Sequence, residues 1–111
     1  MEKNIEKRIY KDFRKWVNMT PAAFEKWLHT EESKSVERGN DGDELADNKS
    51  GEKIIEILKK KISELTDTDY MLMEKVVDYI KRHTAQKPDG DLSETDWNYS
   101  LRNRGYDYRK K

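Results

Sequence analysis

A chain of 111 residues with 41% charged and 33% apolar side chains has material for one small core, and its mean hydropathy of −1.21 excludes a membrane-embedded helical protein. The 23 basic and 23 acidic residues cancel, which excludes a uniformly basic nucleic-acid coat protein and leaves any charge-driven function to local asymmetry. The absence of cysteine removes disulfide frameworks, thiolate zinc sites and thiol nucleophiles, and the charged opening segment lacks the apolar core of a signal peptide, so a cytoplasmic protein is expected.

Ile5, Ile9, Phe13 and Trp16 fall on one arc at helical rotation, with Tyr10 and Val17 at its edge, which predicts an amphipathic first helix stopping near Asn18. Thr20 and Pro21 form a cap and first-turn pair for a second, shorter helix carrying Phe24, Trp27 and Leu28, so residues 1–29 are expected to make a helical corner. Periodicity then disappears. Residues 30–50 are punctuated by serine, glycine and asparagine and carry eight acids against three bases between Glu31 and Glu52, predicting a long, flexible acidic loop. Residues 51–87 read as a helical pair. The first helix of that pair carries Ile54, Ile55, Leu58, Ile62 and Leu65; the second is capped by Thr66 or Thr68 and carries Leu72, Met73, Val76, Val77, Tyr79 and Ile80. Pro88 and Asp89-Gly90 break the chain. Residues 88–111 are expected to hold a turn, a short helix with Trp97 and Leu101 introduced by the capping box Ser93-Glu94-Thr95-Asp96, and a frayed basic tail. No segment alternates cleanly as a strand would. The expected fold is all-α, a compact bundle of four to five short helices in a single domain, residues 1–111, with one long polar loop.

The sharpest electrostatic feature is the first helix. Lys3, Lys7, Arg8, Lys11, Arg14 and Lys15 project opposite its apolar arc, giving about 140° of surface without an acid, a face able to neutralise several phosphates. The bland alternative is a solvated lysine face. The segment Trp97 to Tyr106 interleaves aromatics, amides and arginines, a composition suited to base stacking and equally to docking a short helix; Trp97 and Leu101 are expected in the core, and Tyr99, Arg102, Arg104 and Tyr106 facing a partner. His83 admits two readings, a general base with Arg82 and Gln86, or a half-buried imidazole that satisfies an orphan carbonyl. Nothing accompanies it that resembles a nucleophile pair or a phosphate loop, so catalysis is not expected. Asp41-Gly42-Asp43-Glu44 lacks the spacing of a calcium loop, and neither a metal nor another cofactor is expected.

Further residues form a familiar set. Asn18-Met19-Thr20-Pro21, Trp27-Leu28, Glu32-Ser33, Ser35-Val36 and Ser50-Gly51 lead to Ile54, Ile57 and Leu58. Tyr79, Arg82-His83, Ala85-Gln86 and Pro88 follow, and Trp97, Ser100-Leu101, Asn103, Gly105 and Asp107 close the series. Across residues 17–107 this resembles the domain-of-unknown-function 3140 family, with Arg-His-x-Ala-Gln-x-Pro the most specific element. The resemblance implies no established activity; a generic DNA-binding label carried by some members implies nucleic acid as a partner. The chain departs from the family at Asp47-Asn48-Lys49 before Ser50-Gly51, and at Arg104, Tyr106 and Tyr108, where members usually carry Gly-His and a Trp-Gly-His-Asp-Pro ending. A weaker likeness joins residues 20–28 and Ser50-Gly51-Glu52-Lys53-Ile54 to SAP-type DNA-binding motifs, whose intervening loop is much shorter.

The expectation is a non-enzymatic nucleic-acid-binding protein that contacts phosphates through Lys7, Arg8, Lys11, Arg14 and Lys15, with Arg82, Arg102 and Arg104 as a second patch and His83, Gln86 and Asn103 as a structural or site cluster. The alternative is a protein-interaction or assembly module in which the acidic loop orders on a protein partner. No membrane partner is expected.

Overall fold

The computed structural model describes residues 2–35 and 48–110, and among them every regular element is helical. Six helices follow in order: α1 (Lys3–Trp16), α2 (Pro21–Leu28), α3 (Glu31–Ser35), α4 (Asn48–Lys59), α5 (Asp67–Ala85) and α6 (Asp96–Arg102). Five of them have seven residues or more. The predicted all-α bundle is therefore the observed fold, with the sixth helix being α3.

α1 lays Ile9 and Phe13 on α5, and α2 lays Phe24, Trp27 and Leu28 on α4. The two layers share one continuous core to which α5 contributes Met73, Val76 and Ile80, each fully buried. Each burial of this size contributes about 1.5–3 kcal/mol. That is how a chain so polar on average still repays its backbone entropy. Caps fix three helix starts. Thr20 Oγ1 accepts from Ala23 N at 3.2 Å, Thr66 Oγ1 from Asp69 N at 3.1 Å, and Thr95 Oγ1 from Asn98 N at 3.2 Å. Asp69 closes a reciprocal box by accepting from Thr66 N at 3.0 Å.

Several boundaries differ from expectation. The predicted loop of residues 30–50 begins with α3, because Thr30 Oγ1 accepts from Ser33 N at 3.1 Å and the acids Glu31 and Glu32 occupy the first turn, where they suit the helix dipole. Ser33 is completely buried. α4 starts at Asn48, so Ser50-Gly51 lies inside its first turn and does not open a SAP-like second helix. The remaining acids of the predicted loop, Glu37, Asp41, Asp43, Glu44 and Asp47, lie outside the described residues together with Val36, Leu45 and Ala46, and so does the surface on which an assembly role would rest. α4 ends at Lys59, short of Ile62 and Leu65. Lys60 turns away to place Nζ 2.8 Å from Asp69 Oδ2, a 3₁₀ turn covers Ile62–Glu64, and Ile62 is left 58% exposed. Ile5, expected in the apolar arc, stands 39% exposed at the open end of α1. At the last helix the cap is Thr95, while Ser93 donates through N and Oγ to Asp91 Oδ1 at 3.0 and 2.8 Å, a tight turn of its own. The expected frayed tail is tied back, with Arg109 bonded to Asp107 and Lys110 Nζ 3.5 Å from the Asn18 carbonyl.

Candidate functional site

The residues singled out from the sequence divide into a buried polar hub and an exposed cationic helix face. The hub forms where the chain leaving α6 passes between α2, α3 and α5. The Asn103 side chain is fully buried and bonded at both ends. Its Oδ1 accepts from Trp27 Nε1 at 2.7 Å and from Ser33 Oγ, and its Nδ2 donates to the Ser33 carbonyl at 3.0 Å. α3, short as it is, is thereby clamped to the end of α6.

Arg104 is also fully buried, and its Nη1 donates to the Ser100 carbonyl at 2.7 Å. Its guanidinium carbon lies 3.7 Å from the centre of the Tyr79 ring. The His83 ring is stacked on that same ring at 3.7 Å and 18°. Two groups this close to one ring centre have to occupy opposite faces, so Tyr79 is sandwiched between arginine and imidazole. A desolvated cation–π contact of this kind contributes about 2 kcal/mol. His83 Nδ1 sits 3.0 Å from the Tyr79 carbonyl, an acceptor to which it can only donate, and the His83 carbonyl accepts from Trp97 Nε1 at 2.8 Å and from Gln86 N at 3.2 Å. Gln86 itself is an exposed C-cap residue whose part in this arrangement is its backbone.

The segment past α6 is fixed by the turn after α1. Asn18 Nδ2 donates to the Asp107 carbonyl at 3.0 Å, Asp107 N donates to Asn18 Oδ1 at 2.7 Å, and Met19 N donates to the Gly105 carbonyl at 3.0 Å. Gly105 adopts φ 85°, and a Cβ there would lie 2.7 Å from Val17 Cγ1 and 2.8 Å from Phe24 Cε2, so the position admits glycine alone without rearrangement. Gly51 is packed against Leu28 in the same region.

This placement corrects part of the expected second patch. Arg104 and Tyr106, expected to face a partner, are buried, and Arg104 cannot reach a phosphate. Arg102 is half-buried with its guanidinium carbon 4.2 Å from the centre of the Trp27 ring, and burial lowers its pKa despite the nearby Asp107. Arg82 is exposed near the end of α5. Asn103 is bound up with Trp27 and Ser33, whereas His83 is bound up with Tyr79 and Trp97, so the expected cluster of His83, Gln86 and Asn103 is dispersed over different partners. Sequence reasoning missed Ser33 and Asn18 as members of the hub. A signal existed in Thr30, a cap residue three positions before Ser33, and in Asn18, an amide at the mouth of a turn.

Asp69 and Asp107 share an electrostatic sign. Burial pushes both carboxyls up, but hydrogen bonds from Lys60 and Thr66 to the first and from Arg109 to the second outweigh it, and both end below the usual carboxylate range. The folded protein therefore binds these protons less tightly than the unfolded chain. Their contribution is complete above the ordinary carboxyl pKa of about 4 and is lost as pH falls through the lower folded values. Thermal melts on the acid side are expected to fall less steeply in Asp69→Asn than in the wild type; parallel falls would contradict the assignment.

The second group is α1. Lys7, Lys11 and Lys15 are exposed at successive four-residue steps, and among the described residues no carboxylate pairs with them. The two arginines flanking this line are engaged within the molecule. Arg8 Nη2 meets Glu74 Oε2 of α5 at 3.4 Å, while Arg14 donates through Nε to Tyr10 Oη at 3.1 Å and through Nη2 to the Leu58 carbonyl at 3.4 Å. Between α1 and α5 a groove of about 310 Å³ alternates charge, with Arg8 and Lys81 against Asp12, Glu74 and Asp78. The cationic face is therefore bounded on the α5 side by acids and remains unmixed along the lysine line. Lys7 and Lys15 stand about 12 Å apart along the axis, the rise of three to four phosphates on one strand. Among the described residues no group of carboxylates and histidines is arranged to hold a metal ion, and no helix is long and apolar enough to cross a membrane.

A family model described as a protein of unknown function, DUF3140, matches residues 12–102. No curated protein and no solved structure matches the chain.

Proposed function

The chain belongs to the DUF3140 family of proteins of unknown function, and from the surface of α1 we propose that it is a nucleic-acid-binding protein that works by binding alone, with α1 as the phosphate-contacting face. The observation that carries this reading is the line of exposed Lys7, Lys11 and Lys15, left without an acidic partner among the described residues while Arg8 and Arg14 on either side are engaged internally. Arg8 and Arg14 have partners within the molecule in Glu74, Tyr10 and the Leu58 carbonyl, and the lysines present movable point charges to a polyanion. The net charge of zero is consistent with this division, since recognition depends on the local field and not on the total. Arg82, exposed near the end of α5 and separated from the lysine line by Glu74 and Asp78, lies outside that face, and the hub serves to hold the frame.

Fluorescence anisotropy with labelled oligonucleotides at low salt tests the proposal. Simultaneous Lys7→Gln, Lys11→Gln and Lys15→Gln is expected to weaken binding at least about tenfold, while thermal stability changes little because all three side chains are exposed. Unchanged affinity in the triple variant, or no binding by the wild type, would overturn the assignment.

A further inference from the structure

Beside the lysine line lies a second groove, of about 420 Å³, lined by Lys3, Glu6, Lys7, Tyr10, Ile62 and Tyr70. It opens where α1, the 3₁₀ turn and the first turn of α5 meet. Its composition is unlike that of the α1–α5 groove. Ile62, 58% exposed, forms an apolar lip; the half-buried Tyr10 ring and the buried Tyr70 ring form the walls. Lys3 and Lys7 stand exposed at its rim, continuous with Lys11 and Lys15. Arg14 holds Tyr10 through its hydroxyl at 3.1 Å and its ring at 5.4 Å. The Tyr70 phenol is pushed up by burial and then by the Glu6 carboxylate and Tyr10, so it stays neutral and able to hydrogen-bond at physiological pH.

Ile62 and the half-buried Tyr10 ring give the groove an apolar interior, and lysines at its edge match an anionic partner with an apolar part. A phosphate would be repelled from the interior by Glu6, which can instead accept a hydrogen bond from an exocyclic amine. A nucleic-acid strand divides in the same way, phosphates outside and flat apolar bases inside. In a duplex the base faces are covered by their neighbours; in a single strand they are available to stack.

We propose that this groove receives one unpaired nucleobase from a strand whose phosphates lie along Lys3, Lys7 and Lys11, which makes the protein a single-strand binder in preference to a duplex binder. The inference rests on the phosphate-binding reading of α1 and adds to it the part of the ligand that leaves the lysine line.

The test compares three labelled probes of equal length by anisotropy at low salt: a mixed-sequence single strand, a single strand of abasic residues, and a duplex. The mixed strand is expected to bind at least about fivefold tighter than the abasic strand, the margin that stacking of one base supplies, and tighter than the duplex. Ile62→Ser, at an exposed position that the fold tolerates, is expected to remove the margin over the abasic strand while leaving abasic binding unchanged. Equal binding of mixed and abasic strands, or a margin untouched by Ile62→Ser in a variant with wild-type melting, would overturn the base-binding groove and leave the phosphate reading in place. Absence of binding by all three probes would overturn both.

Discussion

Asn103→Ala is expected to destabilise the protein by about 3–5 kcal/mol, a large share of the total stability of a domain this size. The magnitude follows from what the amide leaves behind. Trp27 Nε1 and Ser33 Oγ lose their common acceptor, and the Ser33 carbonyl loses its donor, all within a region shielded from solvent. Each buried polar group without a partner costs about 1–3 kcal/mol, and a water entering the vacated space would recover only part of it. Ser33→Ala should cost much less, about 1 kcal/mol, because Trp27 still satisfies the Asn103 oxygen. Urea denaturation followed by circular dichroism reads both. A loss under about 1 kcal/mol for Asn103→Ala, or equal losses for the two variants, would show that the amide is not the node joining α2, α3 and the end of α6.

Gly105→Ala is expected to cost about 2–5 kcal/mol, and two separate causes contribute. A left-handed backbone disfavours any side chain by about 1–2 kcal/mol, and the new methyl would press on Val17 and Phe24, which are themselves buried and have nowhere to move, adding about 1–3 kcal/mol. Gly90 separates the causes. It has φ 90° with nothing near its missing Cβ, so Gly90→Ala should pay the backbone cost alone. The difference between the two variants reads the packing cost at residue 105, and equal losses would show that the segment after α6 is not seated against α2. Gly51→Ala provides the contrast. Its backbone is helical, so no left-handed cost applies, but a Cβ would lie 2.7 and 2.8 Å from the methyls of the buried Leu28 and 3.2 Å from the Asn103 carbonyl, crowding that opposes the gain of about 1 kcal/mol in helix propensity.

Much of the fold was legible because its periodic elements speak locally. Ile9 and Phe13, Phe24 and Trp27, and the long apolar arc of α5 each announce a helix face, and Thr20-Pro21 and Thr66 announce the starts. α3 was hidden because it spans five residues and offers one small buried side chain, Ser33, in place of an apolar stripe. The end of α4 was misplaced because Ile62 continues the helical spacing; the chain leaves the helix at Lys60, whose Nζ meets Asp69 in the next cap, a contact nine residues away that no periodicity encodes.

The site was legible in composition more than in location. Arginines, amides and aromatics after Trp97 suit a nucleic-acid surface, and they suit equally well a polar plug whose partners come from distant segments. Arg104 is buried because Tyr79 and the Ser100 carbonyl receive it, and Asp107 because Asn18, 89 residues earlier, matches its backbone. Among the residues that carry the family resemblance, Asn18, Trp27, Ser33, Gly51, Tyr79, His83, Asn103, Gly105 and Asp107 lie in or beside this hub. The resemblance thus describes chiefly how the chain is held together. α1, by contrast, contributes its cationic face from residues that lie mostly before the stretch of resemblance.

That division is tested most directly by the salt dependence of oligonucleotide binding. The slope of log affinity against log salt counts the phosphates neutralised, with about 0.7 per contact on a single strand and 0.9 on a duplex. Replacing Lys7, Lys11 and Lys15 by glutamine is expected to reduce the slope by about 2 on a single strand, whereas Arg82→Gln removes at most one contact and Ser33→Ala leaves the slope unchanged in protein that remains folded. A slope unaltered by the triple replacement, or altered as much by Ser33→Ala, would contradict the placement of the binding face on α1.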